Sequence, residues 1–326
     1  MGLSDTVRRL QRRVGGAAFR SSVRTGEWLG RNIPLATVAL PGVEILRDLR
    51  YAEGGGPRGH LLDLYRPTDV ERPPVVLYVH GGAFRLCSKE THWVFATTFA
   101  RRGYMVANIN YRLAPEHPFP AALIDVSEAL RWLVASVEGF GGDPSRIVLA
   151  GESAGGNLVT ALALMTAYER KEAWARAVWD LCPRIKAVVP MCAILEVHGV
   201  QRLIDRNPDL SPWLSDIIAD AERSYLRDSD VGVLGRQLAD PLTFLERAGP
   251  PDRPIPPFFA SVGTADPLLD DTRRLGAALE RLDVPHQVRY YPDEIHAFQA
   301  MVWRAQARRC WQDTFTFLDE VFGAHP

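Results

Sequence analysis

The stretch Gly151-Glu152-Ser153-Ala154-Gly155-Gly156 constrains this chain more than any other. Ahead of it, Arg146-Ile147-Val148-Leu149-Ala150 is an apolar run of strand length. Behind it, the run Asn157 to Met165 reads as a buried helix. Ser153 is thus predicted on a tight turn between a strand and a helix. Gly151 and Gly155 stand where a side chain would collide with the neighbouring element. G-x-S-x-G in that context is a nucleophile elbow. A serine hydroxyl is a weak nucleophile at neutral pH. The rest of the chain must therefore supply a base for it and an acid to orient that base.

An elbow of this kind sets the chain order Ser, then Asp or Glu, then His. Four histidines follow Ser153: His198, His286, His296 and His325. His325 lies at the chain end, His198 falls where an irregular segment begins, and His286 opens a predicted strand at the end away from the elbow. His296 sits in the loop Pro292 to Phe298, after that strand, and can be carried over the elbow. The preceding strand, Phe258 to Gly263, leads into Thr264-Ala265-Asp266-Pro267. Asp266 leaves the strand end directly, and the following proline fixes the local backbone. Asp270 and Asp271 are read as caps of the next helix.

Acyl transfer also builds negative charge on the former carbonyl oxygen, which needs preorganised N–H donors. His80-Gly81-Gly82-Ala83-Phe84 follows the apolar run Val75 to Val79. Gly81 and Gly82, with the amide of Ala154, are the predicted donors.

The remaining pattern is an opening hairpin, over residues 43–51 and 60–65, followed by alternating strands and helices. Strands are predicted over 75–79, 105–110, 147–150, 185–190, 257–263 and 286–291. Helices are predicted over 95–102, 120–136, 268–282 and 305–321. Such alternation gives an α/β fold, a mostly parallel eight-stranded sheet with helices on both faces. Residues 193–250 break the alternation, hold a helix over 216–226, and read as a helical insertion above the carboxyl edge of the sheet. The expected organisation is N-terminal helices over 1–45 joining a cap, a catalytic domain over 46–192 and 251–326, and the cap insertion over 193–250.

With 326 residues, 47% hydrophobic, 24% charged and a net charge of −1, the chain does not read as a general nucleic-acid binder. No C-x-x-C pair occurs among Cys87, Cys182, Cys192 and Cys310, and none clusters in sequence with histidines. Buried free thiols are expected rather than a zinc site or disulfides. No apolar run reaches the length of a membrane span, and no signal-peptide pattern follows Arg8, Arg9, Arg12 and Arg13, so a cytoplasmic location is expected. The amphipathic pattern Val7, Leu10, Val14, Ala17 and Ala18 suits a helix packed on the body. A lipase at a membrane surface is the competing reading.

The blocks His80-Gly81-Gly82, Tyr111 to Ala122, Gly151 to Leu158, Gly263 to Leu268 and His296-Ala297-Phe298 resemble, in order, those of the bacterial hormone-sensitive-lipase (family IV) esterases of the α/β-hydrolase superfamily. The resemblance implies Ser153, Asp266 and His296 as a triad, Gly81, Gly82 and Ala154 as the oxyanion hole, and a cap built from the N-terminal helices and the insertion. Ala83 replaces the family's usual third glycine, and Glu152 its usual aspartate. Glu152 is expected to point away from the acyl group, and Arg112 and Glu116 to pair beneath the site. The implied activity is hydrolysis of small carboxylic esters with short to medium acyl chains, with no metal or cofactor. An amidase or deacetylase, and a ligand-binding protein that has lost turnover, are the alternatives. Phe84, Trp93, Trp213 and Phe298 are candidates to line the pocket. The last strand and helix, 286–322, would lie at a sheet edge able to pair two subunits, on fold-level analogy alone.

Overall fold

The computed structural model describes residues 14–18, 21, 23, 25–28, 41–54, 56–227 and 233–323. Val7, Leu10, the four N-terminal arginines and His325 lie outside these. Eight strands form one sheet: β1 (Val43–Arg50), β2 (Leu61–Pro67), β3 (Pro74–Val79), β4 (Met105–Ile109), β5 (Asp143–Glu152), β6 (Ile185–Met191), β7 (Phe258–Gly263) and β8 (His286–Tyr291). Their spatial order is β1-β2-β4-β3-β5-β6-β7-β8. β2 pairs antiparallel with both β1 and β4. From β4 across to β8 every pairing is parallel. The carboxyl ends of β3, β5, β7 and β8 therefore share one edge, so residues just past each of them can converge.

The apolar runs alternate between two cores, as the period of two demands. Val75, Leu77, Val79, Ile147 and Leu149 face one side. There they pack on α2 (Ala121–Ser136) and α3 (Ala154–Ala167), the helix behind the elbow. Val76, Tyr78, Val148 and Ala150 face the other side. That side is covered by α1 (Trp93–Arg101) and by the helix Ala305–Phe322. Every residue of α3 is buried, which explains why it carries no polar face. Helix α4 (Ala173–Leu181) has no counterpart in the sequence reading; its apolar face is brief and its flanks are charged.

No strand occurs between β6 and β7 among the described residues. That segment holds α5 (Gln201–Arg206), α6 (Pro212–Tyr225), one helical turn at Val233–Arg236, and α7 (Pro241–Arg247). It is followed, after β7, by α8 (Leu269–Arg281), and after β8 by α9 (Ala305–Phe322). Gly15 packs against the head of α6, where an added Cβ would stand 2.4 Å from Trp213 Cδ1. No helix among the described residues is long and apolar enough to cross a membrane.

Asp270 and Asp271 do not cap α8. Asp271 is buried, accepts the amides of Leu195 and Glu196 at 2.9 and 3.2 Å, and holds Arg202 of α5 at 2.6 Å. Asp270 pairs with Arg206. Both tether the insertion to the sheet. Arg112 likewise does not pair with Glu116, which is exposed. Its guanidinium is bidentate on the buried Asp125 carboxylate, at 2.6 and 3.0 Å.

Candidate active site

Ser153 sits between β5 and α3 with φ +54° and ψ −115°. A non-glycine residue held there stores of order 1–3 kcal/mol of backbone strain. Its neighbours show why they must be glycines. A Cβ on Gly155 would stand 2.0 Å from Val79 O, and one on Gly151 2.5 Å from the Gly155 carbonyl. The turn is pinned by the Ser153 amide, which donates to Met191 O at 2.9 Å.

Asp266 follows β7 and is buried. Its Oδ1 accepts the Leu268 amide at 2.9 Å, and its Oδ2 lies 2.9 Å from His296 Nδ1. That contact assigns the Nδ1 proton and leaves Nε2 as the basic nitrogen. The two loops are laced together: Thr264 N donates to Tyr291 O and Ala265 N to Glu294 O. Gly263 permits this, since a Cβ there would stand 1.9 Å from Glu294 O. Burial lowers the His296 pKa, but Asp266 and Cys192 together hold the imidazole well above the ordinary histidine value.

His296 Nε2 faces Glu152 Oε1 at 3.4 Å. Among the described residues no hydrogen bond joins Ser153 Oγ to the imidazole. Glu152 therefore does not point away from the site, as the sequence suggested. The extra methylene over aspartate lets its buried carboxylate reach both His296 and, at 3.1 Å, His92 Nε2. Burial pushes the Glu152 carboxyl up, yet His92 and His296 together hold it below its usual range.

The glycine loop is braced from below. His80 is buried and stacks on Tyr111 with ring centroids 4.2 Å apart. Burial drives its pKa down to about 3, so it stays neutral. The Gly81 N–H bonds the Glu152 carboxylate, with its nitrogen 3.3 Å from His92 Nε2, and a Cβ on Gly81 would stand 2.1 Å from Glu152 Oε2. Its amide is thus engaged with the brace. The amides of Gly82 (φ +105°) and Ala83 (φ +54°) have no acceptor among the described residues. Ala154 opens α3, where the first N–H groups lack intrahelical acceptors.

Phe84 and Phe298 are wholly buried, which corrects the expectation that they line a pocket. Phe84 stacks on Tyr225 of the insertion at 3.7 Å between centroids, and Phe298 packs behind the His296 loop against Tyr291. Arg85 adds an ion pair to Asp220 of α6 at 2.9 Å. Trp93 heads α1 and Trp213 heads α6, both half-buried.

Two residues at the site escape the sequence reading. His92 has no local signal. Cys192, one residue past β6, was legible by the strand-end logic that picks Asp266 and His296. The fold sets it beside His296, although no cysteine clusters with a histidine in sequence. One donor atom each from Glu152, Cys192 and His296 lie within 4.8 Å of one another.

The chain is similar to the carboxylesterase NlhH of Mycobacterium tuberculosis, 40% identical over 37% of this chain and 40% of that protein. It is 31% identical to the carboxylic ester hydrolase LipN of the same organism, over 80% of this chain and 66% of LipN. These matches span less than two thirds of either relative. Among solved structures, a hyperthermophilic esterase of the archaeon Pyrobaculum calidifontis superposes with a TM-score of 0.74 at 25% identity, covering 99% of this chain and 100% of its own. A family model described as the alpha/beta hydrolase fold matches residues 76–300. With the sheet order, the strained serine turn and these likenesses together, the chain belongs to the hormone-sensitive-lipase-like branch of the α/β-hydrolase family.

Proposed function

We propose that the chain is a carboxylic-ester hydrolase that works through an acyl-enzyme on Ser153. The observation that carries this is the 2.9 Å pair of Asp266 and His296 at the edge of the sheet where Ser153 occupies its strained turn. His296 Nε2 takes the Ser153 proton as Oγ attacks the ester carbonyl. The hydrogen bond for that transfer is often long in a substrate-free enzyme and tightens with substrate bound. Gly82, Ala83 and Ala154 supply the amides for the oxyanion, while Gly81 holds their loop through the Glu152–His92 brace. The imidazolium then protonates the leaving alcohol, and the same nitrogen activates the water that releases the acid. Asp266 fixes the tautomer throughout.

The acyl range we assign is short to medium. The insertion acts as a cap, clamped to the glycine loop through Phe84–Tyr225 and Arg85–Asp220, which bounds the space above the elbow. A ladder of p-nitrophenyl esters on the native chain and Ser153→Ala tests both parts. The variant should lose roughly 10⁴–10⁶ in kcat, as when a triad serine is removed elsewhere. Undiminished hydrolysis would sink the mechanism. Rates that climb toward long chains would overturn the acyl range.

A further inference from the structure

We propose that Glu152 Oε1, Cys192 Sγ and His296 Nε2 form a zinc site, and that a bound Zn²⁺ reversibly shuts the enzyme off by occupying the base. This rests on the reading of His296 as the general base. Glu152 ends β5, Cys192 follows β6 and His296 follows β8, and one donor atom of each lies within 4.8 Å of the others. Glu152 and Cys192 are buried, so these are not the exposed carboxylates that commonly gather without an ion.

The chemistry of the set suits zinc. Thiolate, imidazole and carboxylate are its three habitual protein ligands, at about 2.3, 2.0–2.1 and 2.0–2.2 Å. Two such N and O donors around a tetrahedral ion stand roughly 3.3–3.4 Å apart; Nε2 and Oε1 stand at 3.4 Å. Each donor atom is also the one available. His296 Nδ1 is held by Asp266 and Glu152 Oε2 lies against His92, which leaves Nε2 and Oε1. The Cys192 thiol already bonds the His296 imidazole and makes a long contact, 3.8 Å, to Gln299 Oε1. Both outer partners are the kind that orient ligands at known zinc centres. On binding, the thiol and the imidazolium Nε2 each lose a proton to solvent, sulfur, Nε2 and the carboxylate each donate a pair, and water or Ser153 Oγ completes four-coordination. Nε2 can then no longer accept the serine proton.

Three readouts decide this. Zinc should bind the native chain at one equivalent, inhibit ester hydrolysis, and release on adding EDTA. Cys192→Ala and Cys192→Ser, which both keep a small side chain, should raise the zinc inhibition constant at least tenfold. Cobalt(II) bound to the native chain should show a thiolate-to-metal charge-transfer band in the near ultraviolet, a signature independent of catalysis and of any variant's folding. Equal zinc sensitivity in the Cys192 variants, bound cobalt without that band, or no zinc binding would each overturn the site. A chain that binds zinc with the cobalt signature but cleaves no ester would refute the hydrolase reading and leave the metal site standing.

Discussion

At the scale of single residues, the triad acid and Glu152 give the sharpest expectations. Asp266→Asn should cost about 10⁴ in kcat, because an asparagine favours the wrong imidazole tautomer. Asp270→Asn should change the rate little, since Asp270 pairs with Arg206 on the insertion. Steady-state kinetics on the two variants would reverse the assignment if Asp270→Asn were the damaging one. Glu152 acts on the pH dependence. Its carboxylate faces Nε2 and favours the charged imidazolium, while catalysis needs the neutral ring. The acid limb of kcat/KM should therefore lie above the ordinary histidine range, activity falling as pH drops through it. Glu152→Gln removes that charge, so the His296 pKa falls and the limb moves to lower pH. A limb that stays put or moves up would show that Glu152 does not tune the base. Spacing and chain order in the sequence single out Ser153, Asp266 and His296 as the proposed triad, and the fold pairs Asp266 with His296 at 2.9 Å. The sequence did not disclose the reach of Glu152, because the direction of a buried side chain depends on what packs around it.

At the scale of elements, the glycine loop and the helix α6 behave as one unit. Three residues of that loop, Ala83, Phe84 and Cys87, hold left-handed φ values of +54°, +61° and +71°. Such a run persists only where surrounding contacts over-determine it. Tyr225 supplies much of that hold: it stacks on Phe84, meets Phe119 edge-on, and accepts the Phe119 amide on its carbonyl at 2.7 Å. Tyr225→Ala should cost about 3–5 kcal/mol of stability by leaving a cavity in place of a buried ring. Tyr225→Phe should match or exceed the native melting temperature, because the buried Tyr225 hydroxyl has no hydrogen-bond partner among the described residues. Thermal denaturation of the pair checks this, and a destabilised Tyr225→Phe would contradict it. The helix itself was legible over 216–226, although it begins earlier, at Pro212. Its docking partner was not, since Phe84 and Tyr225 lie far apart in the chain and stacking leaves no periodic trace.

At the scale of the molecule, the parallel sheet is what turns scattered residues into a site. β3, β5, β7 and β8 run the same way, so Gly82, Ser153, Asp266 and His296 emerge at one edge. The insertion is held over that edge by charges from α8, the helix that follows Asp266: Asp271 to Arg202 at 2.6 Å, Asp270 to Arg206, and Arg274 to Glu246 at 2.8 Å. The sequence by itself determined the eight strands and the strand–turn–helix elbow at Ser153, because hydrophobic period and glycine placement are local or nearly local properties. Tertiary structure alone decided that Gly81 spends its amide on the Glu152–His92 brace, that Phe84 and Phe298 are packing rather than lining, and that Cys192 stands beside His296. Each depends on contacts between segments far apart in sequence, where side-chain direction is set by close packing at the sheet edge. The elbow motif points to Ser153, but the surroundings of His296, with Glu152 and Cys192 beside it, exist only once the strand ends have met.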